Sequence, residues 1–233
     1  MKEIEFGAFF QDFIENNVNS KYKFDMFLRE IESFQGIPDY IGVNIRDIGE
    51  CKSFLTNVTE ENWYTVSRIL SILSKQKGHT VSFIEKKTGI SENSLIKDLC
   101  FLQNRNILEQ DRYGNYRLAE NFVIPKLSIS SFELKLENWK RALFQAIRYK
   151  TFSEFSYVVM PKEKITLLKK NFDFFKQSNI GIAVYDERKD TLETIYRATK
   201  NKNISKSHLY YMSGKIMFAY QNNVNVSSSI SII

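Results

Sequence analysis

Leu127-Ser128-Ile129-Ser130-Ser131-Phe132-Glu133-Leu134-Lys135-Leu136 reads as a buried strand with chemistry at its end. In a strand, residues two apart point to the same side. Glu133 and Lys135 therefore share one face, and Phe132, Leu134 and Leu136 the other. A carboxylate and an ammonium on a largely buried strand are costly unless something gathers there. A divalent metal and a phosphodiester would satisfy both.

Downstream the pattern alternates between helix and strand. A helix is expected from about Asn138 to Phe155, with Trp139, Ala142, Leu143, Ala146 and Ile147 as its apolar face. Arg141, Gln145, Arg148 and Tyr149 form a second, polar stripe at spacings of three and four. Tyr157 to Met160 reads as a strand ended by Pro161. Ile165, Leu168, Phe172 and Phe175 mark the next helix, and Gly181 to Tyr185 the next strand. This β-α-β-α-β order predicts a mixed central sheet, partly parallel and covered by helices. The tail after Asn201 carries no firm pattern, and the Asn- and Ser-rich stretch Asn222 to Ser229 reads as loosely ordered.

Upstream, Phe6, Phe9, Phe10, Phe13 and Ile14 recur at helical spacing, as do Phe24, Phe27, Leu28, Ile31 and Phe34. Asn16-Asn17 and Asn19-Ser20 separate these two expected helices. Gly36-Ile37-Pro38-Asp39 then leads into a strand beginning at Tyr40. A boundary is expected near Val58.

Residues 59–123 read as a winged helix-turn-helix. Trp63, Val66, Ile69, Leu70 and Leu73 form one helical stripe, Val81 and Ile84 mark a short second helix, and Ser91 suits the N-cap of a third. Ile107 to Gln110 and Tyr116 to Ala119 follow as two strands joined through Asp111-Arg112-Tyr113-Gly114-Asn115. This stretch resembles the winged-helix modules of bacterial DNA-binding proteins. On the third helix Asn93, Ser94 and Lys97 are the candidates for base or phosphate contact. In the hairpin Arg112 and Arg117 are candidates for phosphate, with Arg141 and Arg148 adding basic groups further on. The same architecture also serves protein contacts.

Pro38-Asp39, then Glu133-Leu134-Lys135, then Gln145-x-x-x-Tyr149 on the following helix, together resemble the signature of the PD-(D/E)xK nuclease superfamily. The resemblance covers residues 22–45 and 127–186. It implies a restriction-endonuclease-like α/β domain over 1–58 and 124–233, with the winged helix of 59–123 inserted into it. One departure stands out: Asp39 and Glu133 are 94 positions apart, far more than the family's usual short hairpin.

The resemblance implies Asp39, Glu133 and Lys135 as catalytic residues and Gln145 and Tyr149 as supporting ones. Mg²⁺, with Mn²⁺ as a substitute, would be held by Asp39, Glu133 and the backbone carbonyl of Leu134. Glu32 is near enough in sequence to join them. The implied activity is endonucleolytic hydrolysis of double-stranded DNA, of restriction type, with the winged helix giving target recognition. Two other readings stay open: a non-catalytic DNA-binding regulator on a nuclease-like scaffold, and a junction-specific nuclease. Each side chain also has an ordinary role open to it. Asp39 suits a turn, Glu133 and Lys135 an ion pair on an exposed sheet, and Gln145 and Tyr149 a solvated helix face.

Composition agrees with a soluble globular protein. Hydrophobic residues make up 43% and charged residues 26% of the 233-residue chain. No stretch is long and apolar enough for a membrane span, and Met1-Lys2-Glu3-Ile4-Glu5 is not a signal-peptide start. With only Cys51 and Cys100, a cytoplasmic setting is expected. The net charge of +6 is uneven: residues 1–60 hold 6 Lys/Arg against 11 Asp/Glu, and residues 128–233 hold 17 against 9. Such asymmetry fits a protein that meets a polyanion with one side. Cutting both strands of a duplex would call for a homodimer. His79 and His208 are too few for histidine-metal nuclease chemistry, and the absence of a Gly-rich phosphate loop argues against ATP use.

Overall fold

A computed structural model of the chain describes residues 2–16 and 23–229. In chain order the elements are α1 (Glu3–Asn16), β1 (Met26–Arg29), β2 (Tyr40–Ile45), α2 (Ile48–Asn57), α3 (Trp63–Ile72), α4 (Val81–Thr88) and α5 (Glu92–Asn104). There follow β3 (Leu108–Gln110), β4 (Tyr116–Leu118), β5 (Leu127–Leu134), α6 (Trp139–Tyr149), β6 (Phe155–Pro161), α7 (Ile165–Lys170) and α8 (Phe172–Ser178). The chain ends through β7 (Gly181–Asp186), β8 (Thr191–Tyr196), α9 (Lys206–Gln221) and β9 (Val226–Ser228).

Two compact units emerge. The first comprises the described residues of 1–44, 127–205 and 225–229, and the second 45–126 and 206–224. The first is an α/β unit on a mixed seven-stranded sheet, ordered β8-β7-β6-β5-β2-β1-β9. β5, β6 and β7 run parallel, as the alternating helix and strand pattern predicts. β7 and β8, β1 and β2, and β1 and β9 pair antiparallel.

Both faces of this sheet are covered, which explains why its central strands are buried along almost their whole length, serines and Glu133 of β5 included. On one face α1 lays Phe6, Phe10, Phe13 and Ile14 against Phe27, Tyr40, Phe132, Tyr157 and Tyr185. Phe27 and Tyr40 stack with ring centroids 5.2 Å apart, and Phe10 meets both edge-on. On the other face α6 and α8 bury Ala142, Leu143, Ala146 and Phe175 against Val158, Met160, Ile182 and Val184. Rings and branched chains of this size each stabilise by a few kcal/mol when buried, so the two layers fix the sheet's register.

Several local expectations are corrected. Residues 24–34 do not form a helix: Met26–Arg29 is a strand whose partners on both sides complete its hydrogen bonds. α6 stops at Tyr149 instead of reaching Phe155, because Phe155 already opens β6. The single helix expected over 165–175 is two, α7 and α8, with Asn171 between them. Asn222 to Ser229 is not loose throughout, since Val226–Ser228 adds the sheet's last strand. The expected break at Asn17, Asn19 and Ser20 falls outside the described residues.

The second unit contains three successive helices, α3, α4 and α5, followed by the β3-β4 hairpin, with His79 bridged to Tyr116. Thr80 caps α4 by accepting from the Phe83 N–H. Ser91 stands at the N-cap of α5 as expected but makes no backbone cap bond; its hydroxyl meets that of Ser94 instead. α9, unread in the sequence, joins this unit. Trp63 donates its indole N–H to the Tyr211 carbonyl at 2.9 Å, and Phe54, Trp63 and Phe218 form one aromatic cluster.

Candidate active site

The end of β5 and the start of β2, neighbours in the sheet, bring together Asp39, Glu133 and Lys135. Asp39 immediately precedes β2, and its Oδ2 accepts the backbone N–H of Leu134 at 2.7 Å. That bond closes a separation of 95 positions. The other oxygen, Oδ1, meets no donor among the described residues. Beside Leu134, Glu133 is buried to 1% exposure, and its Oε1 lies 3.2 Å from Lys135 Nζ. An ion pair on an exposed sheet is therefore not what these residues make.

α6 supplies the other wall. Its last residue, Tyr149, is buried, with its hydroxyl 3.0 Å from Glu133 Oε2 and 3.0 Å from the Ile37 carbonyl. Gln145, one turn earlier on the same side of α6, is half-buried, and its Oε1 has no partner among the described residues. Neither is a solvated helix face. The tight Ser33–Gly36 turn presents Ile37 to Tyr149: Ser33 Oγ donates to the Gly36 carbonyl at 2.6 Å, and Gly36 sits at φ +125°.

One participant escaped the sequence reading. Glu3, at the start of α1, places Oε2 3.5 Å from Lys135 Nζ. The available signal was its spacing from Gly7, Phe10 and Ile14, which sets it on the inward side of α1. Glu3, Ile4 and Gly7 join Arg29, Glu30, Asp39, Tyr40 and Leu134 around an open cleft of about 210 Å³. Glu32 is exposed and takes no part.

Electrostatically the cluster is crowded with acid. Burial, and then the Asp39 charge, push Glu133 up to about 7 against the pull of Lys135 and the Tyr149 hydrogen bond. Burial also raises Asp39, although the Leu134 N–H and Lys135 oppose it. For Lys135 burial works against the ammonium, but Asp39, Glu133 and Glu3 together outweigh it and hold its pKa above the ordinary lysine value. Carboxylates raised mainly by burial, with neighbouring acids adding to it, are the donor chemistry that a hard divalent cation relieves. Among the described residues no group of three or more His, Cys, Asp or Glu side chains is gathered as a complete metal cage. Two carboxylates beside an open cleft suit an ion that keeps several waters.

The proposed nucleic-acid contacts fall into both units. In the second, Asn93, Ser94 and Lys97 are exposed on α5, and Arg112 is exposed at the hairpin tip. Arg117 is not free: it pairs with Glu109 at 2.8 Å and donates to the Lys75 carbonyl at 3.2 Å. In the first unit Arg141 and Arg148 are exposed on α6. Among the described residues no helix is long and apolar enough to cross a membrane. Compared with protein-family models, curated proteins and solved structures, the chain gives no match in any of the three.

Proposed function

We propose that the protein is a Mg²⁺-dependent endonuclease of the PD-(D/E)xK kind, acting on double-stranded DNA. The observation that supports this most is the Asp39–Leu134 hydrogen bond, which sets an acid from residue 39 against a Glu-x-Lys strand nearly a hundred positions later. Without that bond the three residues would be a coincidence of sequence.

Asp39 Oδ1, a Glu133 oxygen and the Leu134 carbonyl would hold Mg²⁺, with waters and a phosphate oxygen filling the rest of its shell. When bound, the ion polarises the phosphoryl group and acidifies a coordinated water. Lys135, fixed by Glu133 and Glu3, stabilises charge growing on the phosphate or orients the attacking water. Tyr149 holds the Glu133 carboxyl in place, and Gln145 lies beside it on α6 with an Oε1 unpartnered among the described residues and free to take part. The Tyr149 bond restricts the rotamers of that carboxyl, and holding a reacting group in position contributes to rate.

The second unit serves DNA binding under this reading, as a winged helix with α5 toward the duplex. Its exposed Asn93, Ser94 and Lys97 carry the contact. Target preference of restriction type rests on this assignment. A homodimer is expected if both strands are cut, and a cytoplasmic setting fits the substrate.

The test is incubation of supercoiled plasmid with the full chain and Mg²⁺ or Mn²⁺, beside Glu133→Gln and Lys135→Ala. Nicking or linearisation that needs the metal and is lost in both variants is the expected result. Cleavage that survives Glu133→Gln rules this site out. DNA binding with no cleavage by the unmutated chain under any divalent ion favours the regulator instead.

A further inference from the structure

The tip of the β3-β4 hairpin holds an exposed aromatic ring on an unusually well-tied turn. Asp111 Oδ1 accepts the backbone N–H of Tyr113 at 2.8 Å and of Asn115 at 3.0 Å, and Oδ2 accepts the Asn115 amide at 3.0 Å. The Asp111 N–H donates to the Asn115 carbonyl, and the Gly114 N–H to the Asp111 carbonyl. Gly114 sits at φ +79°, which closes the turn without strain. The first hairpin residue thus ties both backbone and side chain of the loop.

What this turn displays is Arg112 and Tyr113. Tyr113 is 73% exposed, and the Arg112 guanidinium lies over its ring, 4.7 Å from the centroid. A cation lies over one ring face, and most of the remaining side-chain surface is in water. Arg112 makes no ion pair among the described residues, whereas Arg117, on the adjoining strand, is paired with Glu109. A rigid ring held out in water gains nothing for the fold. It does lower the ordering cost of a planar ligand stacking on it.

We propose that Tyr113 is a stacking platform for an unpaired nucleobase, with Arg112 holding the adjacent phosphate. The feature read by this hairpin would be a duplex end, flap or fork, where a base face is open, beside the duplex contact assigned to α5. Phosphate plus base face is the pairing of chemistries that a guanidinium beside an exposed ring fits. The inference deepens the nucleic-acid reading above and rests on it, but does not require that the first unit cut DNA.

The experiment measures binding by the full chain in EDTA, so that nothing is cleaved. One probe is a duplex closed at both ends by hairpin loops that are themselves blocked by crosslinking. The other is the same duplex carrying a single-stranded flap, with 2-aminopurine at the first unpaired position. The unmutated chain is expected to favour the flap and to alter 2-aminopurine fluorescence. Tyr113→Ala should weaken flap binding by about 5- to 150-fold and abolish the fluorescence change, with closed-duplex affinity held within about twofold. Tyr113→Phe should retain both signals, because the ring and not the hydroxyl stacks. Equal binding of the flap by Tyr113→Ala, or a parallel loss on both probes, overturns the proposal. Plasmid cleavage combined with a silent Tyr113→Ala sinks the stacking alone. Tyr113-dependent flap binding without any cleavage sinks the nuclease and leaves the stacking standing.

Discussion

The hydroxyl of Tyr149 stands 3.0 Å from Oε2 of Glu133 and the same distance from the carbonyl of Ile37. A phenol has one proton, so it cannot donate to both acceptors at once. With Glu133 ionised the proton goes to the carboxylate, by far the better acceptor. With Glu133 protonated the carboxyl can donate to the phenol oxygen, and the phenol turns to Ile37. The network is satisfied in either state, which is how a carboxyl pushed up to about 7 can stay buried beside Asp39. Burial and the nearby carboxylate raise the phenol itself well above its ordinary value, so it remains a donor throughout.

Tyr149→Phe tests that arrangement. The hydrogen bond favours the ionised carboxyl, so its loss pushes Glu133 further up. The pH at which Glu133 ionises should rise, and with it the acid limb of any metal-dependent cleavage profile. Activity below that limb should fall more than tenfold, while the plateau at alkaline pH falls less. Stability should drop by about 1 kcal/mol, the usual worth of one such bond. A uniform loss at all pH values would mean that the ring, not its hydroxyl, is what the site needs.

Glu133→Gln should make the metal-free protein more stable, and only on the alkaline side. The Glu133 pKa rises from the ordinary 4.5 to about 7 on folding, so the native state binds the extra proton between those values. Stability therefore declines as pH rises through that window and stays low above it. The cost is on the order of 3 kcal/mol at pH 8 and vanishes below pH 4. Urea unfolding in EDTA at pH 5 and pH 8 should show the variant gaining mainly at pH 8. Added Mg²⁺ should restore stability to the unmutated protein at pH 8 and do much less for the variant.

Arg112 and Arg117 should part company despite their similar places in sequence. Arg112 is exposed and unpaired among the described residues, so Arg112→Ala should lower the salt slope of DNA binding by about one unit and leave unfolding unchanged. Arg117 holds Glu109 and the Lys75 carbonyl, so Arg117→Ala should loosen the hairpin. Thermal unfolding beside a salt titration separates the two effects. Equal salt slopes for both variants would contradict this division.

How far the sequence could be read follows from which signals are local. β5 and α6 declare themselves, one by Leu127, Ile129, Phe132 and Leu134 recurring every second or third residue and the other by a stripe of Ala142, Leu143 and Ala146. β1 did not, because Phe27, Leu28 and Ile31 suit a helix as well as a short strand buried on both faces. α9 hid for a related reason: Tyr211 to Gly214 and Ile216 to Phe218 are buried around most of its circumference, leaving no polar face to set a period. β9 has a composition that reads as loose, and only its pairing with β1 makes it a strand. At the site, Asp39, Glu133 and Lys135 were legible as residue types in order. Glu3 was not, since its part depends on how α1 lies across the sheet.

The loop before Asp39 offers a last test, in two opposite substitutions. Glu30 adopts φ +53°, and most other non-glycine residues with positive φ are Asn, for which that conformation costs little. Its backbone is held there by the bond from its N–H to the Asp39 carbonyl at 3.1 Å. Glu30→Gly should therefore stabilise the protein by roughly 1 kcal/mol or lose nothing, despite glycine's greater freedom when unfolded. Gly36, at φ +125°, lies where a side chain is strained, and its Cβ would stand 3.6 Å from the Tyr149 ring. The contact is ordinary but the backbone is not. Gly36→Ala should cost about 1–3 kcal/mol and shift the Ile37 carbonyl off the phenol. Urea midpoints read the stability change, and the pH profile of cleavage reads the displacement. A Gly36→Ala protein as stable as the parent, with an unshifted profile, would show that this turn does not hold Tyr149 in place.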